Sequence, residues 1–401
     1  MLFSEKASCC GCGACANACP KDAIQLQPDE NGFLYPVIDP ARCVDCGLCK
    51  KVCGFQNICP EELPLAAYAA ADRNRGQQLR SASGGVAAVL ARSVVEQGGI
   101  VFGCSMENRD GQLYPVHIGV ENAAQLFKLQ GSKYVQSSME DAYRQAKAAL
   151  QAGRKVLFTG TPCQIAGLRG YLGQKDNPNL LTVDIICHGV PNRAFFQSYI
   201  ETLGQELHGT VTAFSFRDKA TGWGLRAGVT YEDHRGKERY RLLPAKASSY
   251  FALFLQGQTY RNSCYNCPYA QGSRVGDLTL GDYWGIGQAH PEYLHCNGGE
   301  LREEDGISCV LVNTSRGAGA LEQVGEALTL LPTAFEQVQR GNDQLRHPCP
   351  EGQDRQRILT VYRQQGYGAV ERWYRKRMGI RWYRYALQAR IPPKLRAWLK
   401  R

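Results

Sequence analysis

Two cysteine runs of identical spacing constrain this chain more than any other feature. Cys9, Cys12, Cys15 and Cys19 follow the pattern C-x2-C-x2-C-x3-C, and Cys43, Cys46, Cys49 and Cys53 repeat it. Cys10 is the one extra thiol inside the runs. Eight thiols at fixed intervals leave little sequence for a conventional core, so something bound to the sulfurs has to organise the segment. Gly11, Gly13, Ala14, Ala16 and Ala18 are small enough to let backbone amides turn toward charged sulfurs, and Pro20 stops helical continuation after Cys19. Zinc sites draw on two ligand pairs rather than two runs of four, and disulfides belong to oxidising compartments. Both are set aside.

The spacing is that of the bacterial ferredoxin run for [4Fe-4S] clusters, in which three near thiolates wrap one cluster and the fourth reaches the other. It assigns Cys9, Cys12, Cys15 and Cys53 to one cluster, and Cys43, Cys46, Cys49 and Cys19 to the second. Between the runs, AIQLQPDENGFLYPVID predicts two short strands about an Asn31-Gly32 turn. The second run closes Cys53-Gly54 where the first closes Cys19-Pro20, which leaves the ligand count untouched. This ferredoxin domain is placed at residues 1–58.

At 401 residues and 44% apolar content, roughly two or three domains with their own cores are expected. The start MLFSEKASCC has no apolar h-region, and no stretch of about 18 apolar residues follows, so neither a secretory signal nor a membrane span is predicted. Eighteen cysteines in that setting point to a reducing cytoplasm and to metal ligation. The net charge of +10 is concentrated at one end. Residues 355–401 hold 14 Lys+Arg against Glu371 alone, which leaves residues 1–354 at −3.

After a linker at CPEELP (59–64), strand and helix signals alternate. Strands are expected at AYAAA (67–71), IVFGC (100–104), KVLFTG (155–160), LLTVDIIC (180–187) and ISCVLVN (307–313). Helices are expected at 85–97, stopped by Gly98-Gly99, at 164–172, and near 320–328; Ser137 with Glu140 makes a capping-box signature for another, running through Leu150. From Val211 the texture turns to hairpins, TAFSFRD, LRAGVTYED and RYRLLP, with a turn near Arg235-Gly236. The fold class is therefore α+β / α/β: the ferredoxin domain, a mixed α/β core, and a basic helical tail.

Four further cysteines sit in glycine- or proline-flanked loops: Cys163 in TGTPCQIAG, Cys187 in DIICHGVP, and Cys264 and Cys267 in NSCYNCPYA. Two of them follow predicted strands, where α/β sheets place ligands. A third cluster, a zinc site and unrelated core thiols are all compatible with them. SASGG (81–85), GSKY (131–134) and GTPCQ (160–164) are glycine and hydroxyl loops suited to a phosphate-bearing cofactor. None is a Walker A or G-x-G-x-x-G motif, and helix-starting glycines are more often structural.

The ferredoxin runs followed in order by SxSGG, GSKY, GTPCQ, ICHGVP, FRDK-x-TGWG, SCYNCPYA and GDYWGIG resemble the coenzyme F420 hydrogenase/dehydrogenase beta subunit family, over roughly residues 1–335. The resemblance implies a flavin-dependent oxidoreductase, with FAD in the α/β core and the ferredoxin domain as electron wire. It implies a third [4Fe-4S] cluster on Cys163, Cys187, Cys264 and Cys267. It implies flavin contacts at Ser83, Gly84, Gly85, Ser132, Lys133, Tyr134, Thr159, Gly160, Thr161 and Gln164. It divides the core into residues 65–145 and 146–345, with a basic aromatic tail at 346–401.

The expected chemistry is hydride exchange between an organic partner, with coenzyme F420 as one candidate, and flavin, followed by single-electron passage through the clusters. A deazaflavin carrying phosphate and glutamates calls for bases, and Lys133, Arg217, Lys219 and Arg226 are candidates. His188 is the candidate proton donor, with a hydrogen-bonded structural role as its rival. Asp282 and Trp284 either line the site or make a strand-end turn. Cys10, Cys59, Cys104, Cys296, Cys309 and Cys349 are read as ordinary thiols. Partner proteins are a ferredoxin or a separate catalytic subunit; in the second case the chain relays electrons without a substrate of its own. The tail, with Trp373, Tyr374, Trp382, Tyr383, Tyr385 and Trp398 among its bases, suits the inner membrane face, an acidic partner, or packing on the core. A zinc-bearing nucleic-acid binder is disfavoured, because it leaves eight ferredoxin cysteines without a purpose.

Overall fold

A computed structural model describes residues 2–58, 60–173 and 176–390. Cys59, at the head of the expected linker, and the tail from 391 onward, including Trp398, lie outside the described residues. Strands β1 (Ile24–Pro28) and β2 (Leu34–Ile38) form the hairpin expected between the cysteine runs, pairing antiparallel with Ile24 opposite Ile38. The core is mixed α/β. Its eight-stranded sheet uses β3 (Ala66–Asp72), β4 (Ile100–Arg109), β5 (Gln112–Val120), β6 (Val156–Gly160) and β7 (Leu180–Ile185). A separate three-stranded antiparallel sheet is built from β8 (Gly209–Ser215), β9 (Arg226–Asp233) and β10 (Glu238–Pro244). β11 (Leu278–Asp282), β12 (Ser308–Val312) and β13 (Leu328–Thr333) complete the large sheet in the order β13-β3-β12-β11-β7-β6-β4-β5.

The four central strands, β11, β7, β6 and β4, run parallel, and antiparallel strands flank them. Strands from 65–145 and from 146–345 thus interleave in one sheet. In β3 the run of alanines permits burial on both faces. Ala70 packs with Val86, Val89 and Leu90 of the Val86–Glu96 helix, while Ala67, Ala69 and Ala71 face Tyr283, Ile286 and Val338. Gly84 is required for that close approach, since a Cβ there would stand 2.2 Å from the Ala70 carbonyl oxygen.

Three sequence expectations are corrected. Ser137 and Glu140 do not cap a helix: the helix is Ala142–Gln151 with Asp141 at its N-cap, Glu140 pairs with Arg109 at 2.5 Å, and the Ser137 hydroxyl is engaged with His117. The helix expected at 320–328 is Ser315–Gln323, because Leu328 is taken by β13, which adds to the edge at β3. The strand expected to reach Cys187 ends at Ile185 and leaves Cys187 in a loop.

The tail begins with two helices, Arg355–Gln365 and Tyr367–Met378, docked on the core. Ile358, Tyr367, Val370 and Tyr374 are buried in one cluster with Phe195, Tyr199 and Tyr250, and the Tyr367 hydroxyl bonds the Ser249 hydroxyl at 2.8 Å. Glu371, the lone acid of residues 355–401, is buried against Ser249 and Arg375. A third helix, Ile380–Arg390, follows. Among the described residues no helix is long and apolar enough to cross a membrane.

Candidate cluster and redox site

The two cysteine runs adopt matching backbone shapes. Gly11 and Asp45, each two residues past the first cysteine of its run, have φ of +66° and +50°. Gly13 and Gly47, each following the second cysteine, have φ of +78° and +71° and start short helices. Left-handed turns at equivalent places turn successive amides toward the sulfurs. The thiols of Cys9, Cys12, Cys15 and Cys53 lie in one another's fields. Burial pushes the Cys9 thiol up to about 11, with Cys12 and Cys53 adding to the rise. Burial and the same neighbours raise Cys15 as well. Cys49 is raised by burial, then by Cys46 and Cys43. The Cys19 sulfur accepts the Ala23 amide at 3.2 Å. All seventeen described cysteines are free.

The other four thiols also converge. Parallel strands deliver two of them: β6 leads into the Pro162–Leu172 helix carrying Cys163, and β7 ends two residues before Cys187. Cys264 and Cys267 lie in and after the turn Asn262–Asn266. Burial, then Cys264, Cys163 and Cys267, raises Cys187. Cys264 is pushed up to about 12 by burial, with Cys267 and Cys163 contributing. The loop holding the pair is clamped by a buried ion pair, Arg274 to Asp184 at 2.9 Å, with side chains 1% and 0% exposed. Arg274 also donates to the Tyr269 and Ile185 carbonyls, and Asp184 accepts the Val275 and Gly276 amides.

Among the described residues no three His, Cys, Asp or Glu groups are gathered tightly enough for a single metal ion. The all-thiol donor set fits a cluster. Cys10 is not an isolated thiol: it is buried beside Cys12 and Cys163. These contacts raise Cys10 and lower its two neighbours, Cys163 to about 7.

The family motifs meet around Arg217, which is 6% exposed. Its guanidinium bonds Asp282 at the end of β11 (2.5 Å) and the hydroxyl of Tyr134 from GSKY (3.2 Å). Lys219 donates to the carbonyls of Ser83, Gln78 and Asp305; burial, then the Arg217 charge, lowers its pKa to about 8. Trp223 of TGWG stacks on Trp284 of GDYWG, with centroids 4.6 Å apart and planes at 11°. The pair walls a cleft of about 550 Å³ whose other sides include Leu294, His295, Glu303 and Glu304. Arg226 donates to the Thr221 and Gly222 carbonyls. His188 is exposed in a recess whose walls dehydrate it and lower its pKa, against the raising fields of Asp282 and Asp343.

The ten expected flavin contacts fall on three loops, none of which lines that cleft. The Ser83 hydroxyl donates to Ile307 O, the Gly84 amide to Ser308 Oγ, and Gly85 starts its helix at φ +93°. Ser132, Lys133 and Tyr134 bring GSKY against the core, with Lys133 Nζ held by the Lys128 and Gln130 carbonyls. The Thr159 hydroxyl bonds Phe102 O; after Gly160, Thr161 and Gln164 form a capping box.

Sequence reasoning missed His117, which ties the GTPCQ loop to Ser137 in the segment that follows GSKY. Gln164 Nε2 donates to Ser137 Oγ (2.9 Å), which reaches His117 Nδ1 (2.9 Å), and His117 Nε2 faces Thr159 O (3.1 Å). A carbonyl only accepts, so the proton is assigned to Nε2 and the Ser137 hydroxyl donates to Nδ1. Burial lowers the His117 pKa to about 4. The unfolded chain therefore takes up a proton between about pH 6.5 and 4 that the folded chain refuses. Stability from His117 is full above that window and falls by roughly 3 kcal/mol as pH drops through it. Urea denaturation at pH 7.5 and 5 should show about 2 kcal/mol of this loss, reduced in His117→Gln. Equal pH dependence in both proteins would exclude it.

Residues 153–336 match the C-terminal domain of the coenzyme F420 hydrogenase/dehydrogenase beta subunit, and residues 8–57 match the 4Fe-4S dicluster domain. Over 171 residues, 40% of this chain and 24% of the relative, it is 33% identical to the coenzyme F420-dependent sulfite reductase of Methanocaldococcus jannaschii. Over 48 residues, 12% of this chain and 55% of the relative, it is 42% identical to a ferredoxin of Alicyclobacillus acidocaldarius. The chain thus spans about a quarter and about half the length of these curated relatives. A chain in the F420-reducing [NiFe] hydrogenase complex from Methanosarcina barkeri aligns over 71% of this chain and 90% of its own, at 17% identity and a TM-score of 0.45. In sequence order the chain thus carries a 4Fe-4S dicluster domain at residues 8–57 and, at residues 153–336, the C-terminal domain of the coenzyme F420 hydrogenase/dehydrogenase beta subunit family.

Proposed function

We propose that this protein passes electrons between a hydride-carrying organic partner, coenzyme F420 being the first candidate, and ferredoxin-type clusters by way of FAD. The observation that supports this is the convergence of Cys163, Cys187, Cys264 and Cys267 next to His188, which lies in the fields of Asp282 and Arg217, with Cys12 of the dicluster domain in the field of Cys163. The ferredoxin cysteines hold two [4Fe-4S] clusters and the four core cysteines a third. Near the tryptophan cleft, Arg217 Nη2 and Trp223 Nε1 are buried donors without a hydrogen-bond partner among the described residues, which supports a polar ligand close by. An acceptor-rich ring satisfies such donors. Bound flavin exchanges electron pairs with organic partners and single electrons with clusters.

The chain's own contribution is positional and electrostatic. Arg217 and Lys219 hold the loops from SxSGG, GSKY and GDYWG in register. His188, reachable by solvent, is the group placed to supply a proton, and Ser83, Gly84, Gly85, Ser132, Lys133, Tyr134, Thr159, Gly160, Thr161 and Gln164 remain the proposed cofactor-facing loops. A cleft of about 550 Å³ favours a chain with its own substrate over a pure relay. Redox partners are a ferredoxin or a catalytic subunit. Iron, sulfide, zinc and flavin should be measured per chain after purification without oxygen. About twelve irons and one flavin are expected; about eight irons with zinc and no flavin would sink the proposal.

The third tail helix carries a separate proposal. Trp382 packs inward, donating to Ala247 O, while Ile380, Tyr383 and Leu387 are 86%, 70% and 63% exposed at helical spacing, beside Arg381 and Arg384. Such a face suits an anionic membrane surface. The protein should sediment with phosphatidylglycerol vesicles and not with phosphatidylcholine alone, and Ile380→Glu with Leu387→Glu should release it. No difference between the two lipids would refute membrane contact.

A further inference from the structure

Arg261 is fully buried, at 0% exposure. Its backbone is tied to both core thiol loops: its amide donates to Val190 O just after the Cys187 segment, and its carbonyl accepts the Cys264 amide, each at 3.0 Å. Its side chain crosses into the ferredoxin domain. Nη1 donates to Cys9 O (3.3 Å), Nη2 to Leu34 O and Nε to Gln136 Oε1 (3.2 Å), and the guanidinium lies 4.4 Å from the Tyr35 ring centroid. Gly11 is glycine in part because a Cβ there would meet Nη2 at 2.5 Å.

Every one of these acceptors is neutral, and no carboxylate among the described residues pairs with Arg261. A cation buried without an anion is strongly disfavoured. The nearest anionic chemistry is sulfur on both sides, since the Arg261 charge acts on Cys9 of the dicluster domain and on Cys163 and Cys264 of the core. Cys10 sits on the same divide. It is 6% exposed, lies beside Cys12 and Cys163, and its carbonyl is held by Gln136 Nε2 at 3.0 Å. Cys12 packs against Gly167, one helical turn beyond Cys163, with its sulfur 2.9 Å from where a Gly167 Cβ would stand.

We propose that Arg261 and Cys10 form one polar bridge between the first dicluster site and the core cluster, Arg261 as the shared counter-charge and Cys10 as a buried thiol whose single S–H is shared between the facing sulfurs of Cys12 and Cys163. The proposal rests on the assignment of a cluster to Cys163, Cys187, Cys264 and Cys267. A reduced cluster carries one more negative charge than an oxidised one, so a fixed cation and an S–H donor favour reduction and raise both potentials.

Redox titration of the whole protein followed by electron paramagnetic resonance, with iron counted in parallel, tests this in Cys10→Ala, Cys10→Ser and Arg261→Gln. Iron content should be unchanged in all three. In Cys10→Ala and Arg261→Gln two midpoints should become more negative, while the cluster of Cys43, Cys46, Cys49 and Cys19 keeps its own. The hydroxyl of Cys10→Ser should return them toward the parent values. Three midpoints moving together, or none moving, would overturn the bridge, as would loss of about four irons in Cys10→Ala, which would make Cys10 a ligand. If Arg261→Gln does not fold, the Cys10 variants still decide. A parent with only about eight irons would remove the core cluster itself; an unmoved first-cluster midpoint would then refute the roles of Arg261 and Cys10 separately.

Discussion

Replacing both Cys264 and Cys267 by serine is expected to remove about four of about twelve irons while leaving the dicluster signals in place. The core thiols form one mutually perturbing set, and losing two of four leaves too few thiolates to hold a cube. Serine is nearly isosteric but does not ionise at neutral pH, so the loss reports ligation rather than packing. The matching control is Cys296→Ser, exposed on the cleft wall and outside the set, which should keep every iron. A double variant retaining all its iron would refute the core cluster, whatever the activity.

Asp184→Ala is expected to have the largest effect on stability. The Asp184 carboxylate is 0% exposed and accepts from Arg274, Val275 and Gly276 at once. Its removal strands a buried guanidinium and two amides, a loss of about 3–5 kcal/mol. Urea denaturation should show the midpoint falling with the slope unchanged. Because the pair fastens the Cys264–Cys267 loop to the end of β7, which leads to Cys187, iron retention should fall in parallel. The paired change Asp184→Leu with Arg274→Met should recover much of the stability, since no charge is then left buried. A single variant within about 1 kcal/mol of the parent would show that solvent reaches the site and that the clamp is dispensable.

Much of the candidate site was legible because its residues are near neighbours in the chain. The spacing of Cys9 to Cys19 and of Cys43 to Cys53 is itself the local geometry, since short left-handed turns at Gly11, Gly13, Asp45 and Gly47 follow from it. GTPCQ, ICHGVP and GDYWG were recognisable as loops because strands of strong β character precede them. The structure adds that β6, β7 and β11 are parallel and adjacent, so the three loops leave the same edge. The errors have local causes. Ser137-x-x-Glu140 has the composition of a capping box, but the Ser137 hydroxyl has stronger tertiary partners in His117 and Gln164. Leu328 has the apolar character of either a helix or a strand, and the open edge at β3 decided for the strand.

The sequence by itself determined the two-cluster cysteine pattern, the alternation of strands and helices, and the family, because each is written in intervals of a few residues. Only the tertiary structure decided which distant groups meet. Cys10 touching Cys163, Arg261 reaching Cys9, and Arg217 joining Tyr134 to Asp282 link positions up to 252 residues apart. A local pattern cannot specify such contacts. They depend on the sheet order and on the cost of burying charge, which leaves a guanidinium or a carboxylate only the partners that the fold brings to it.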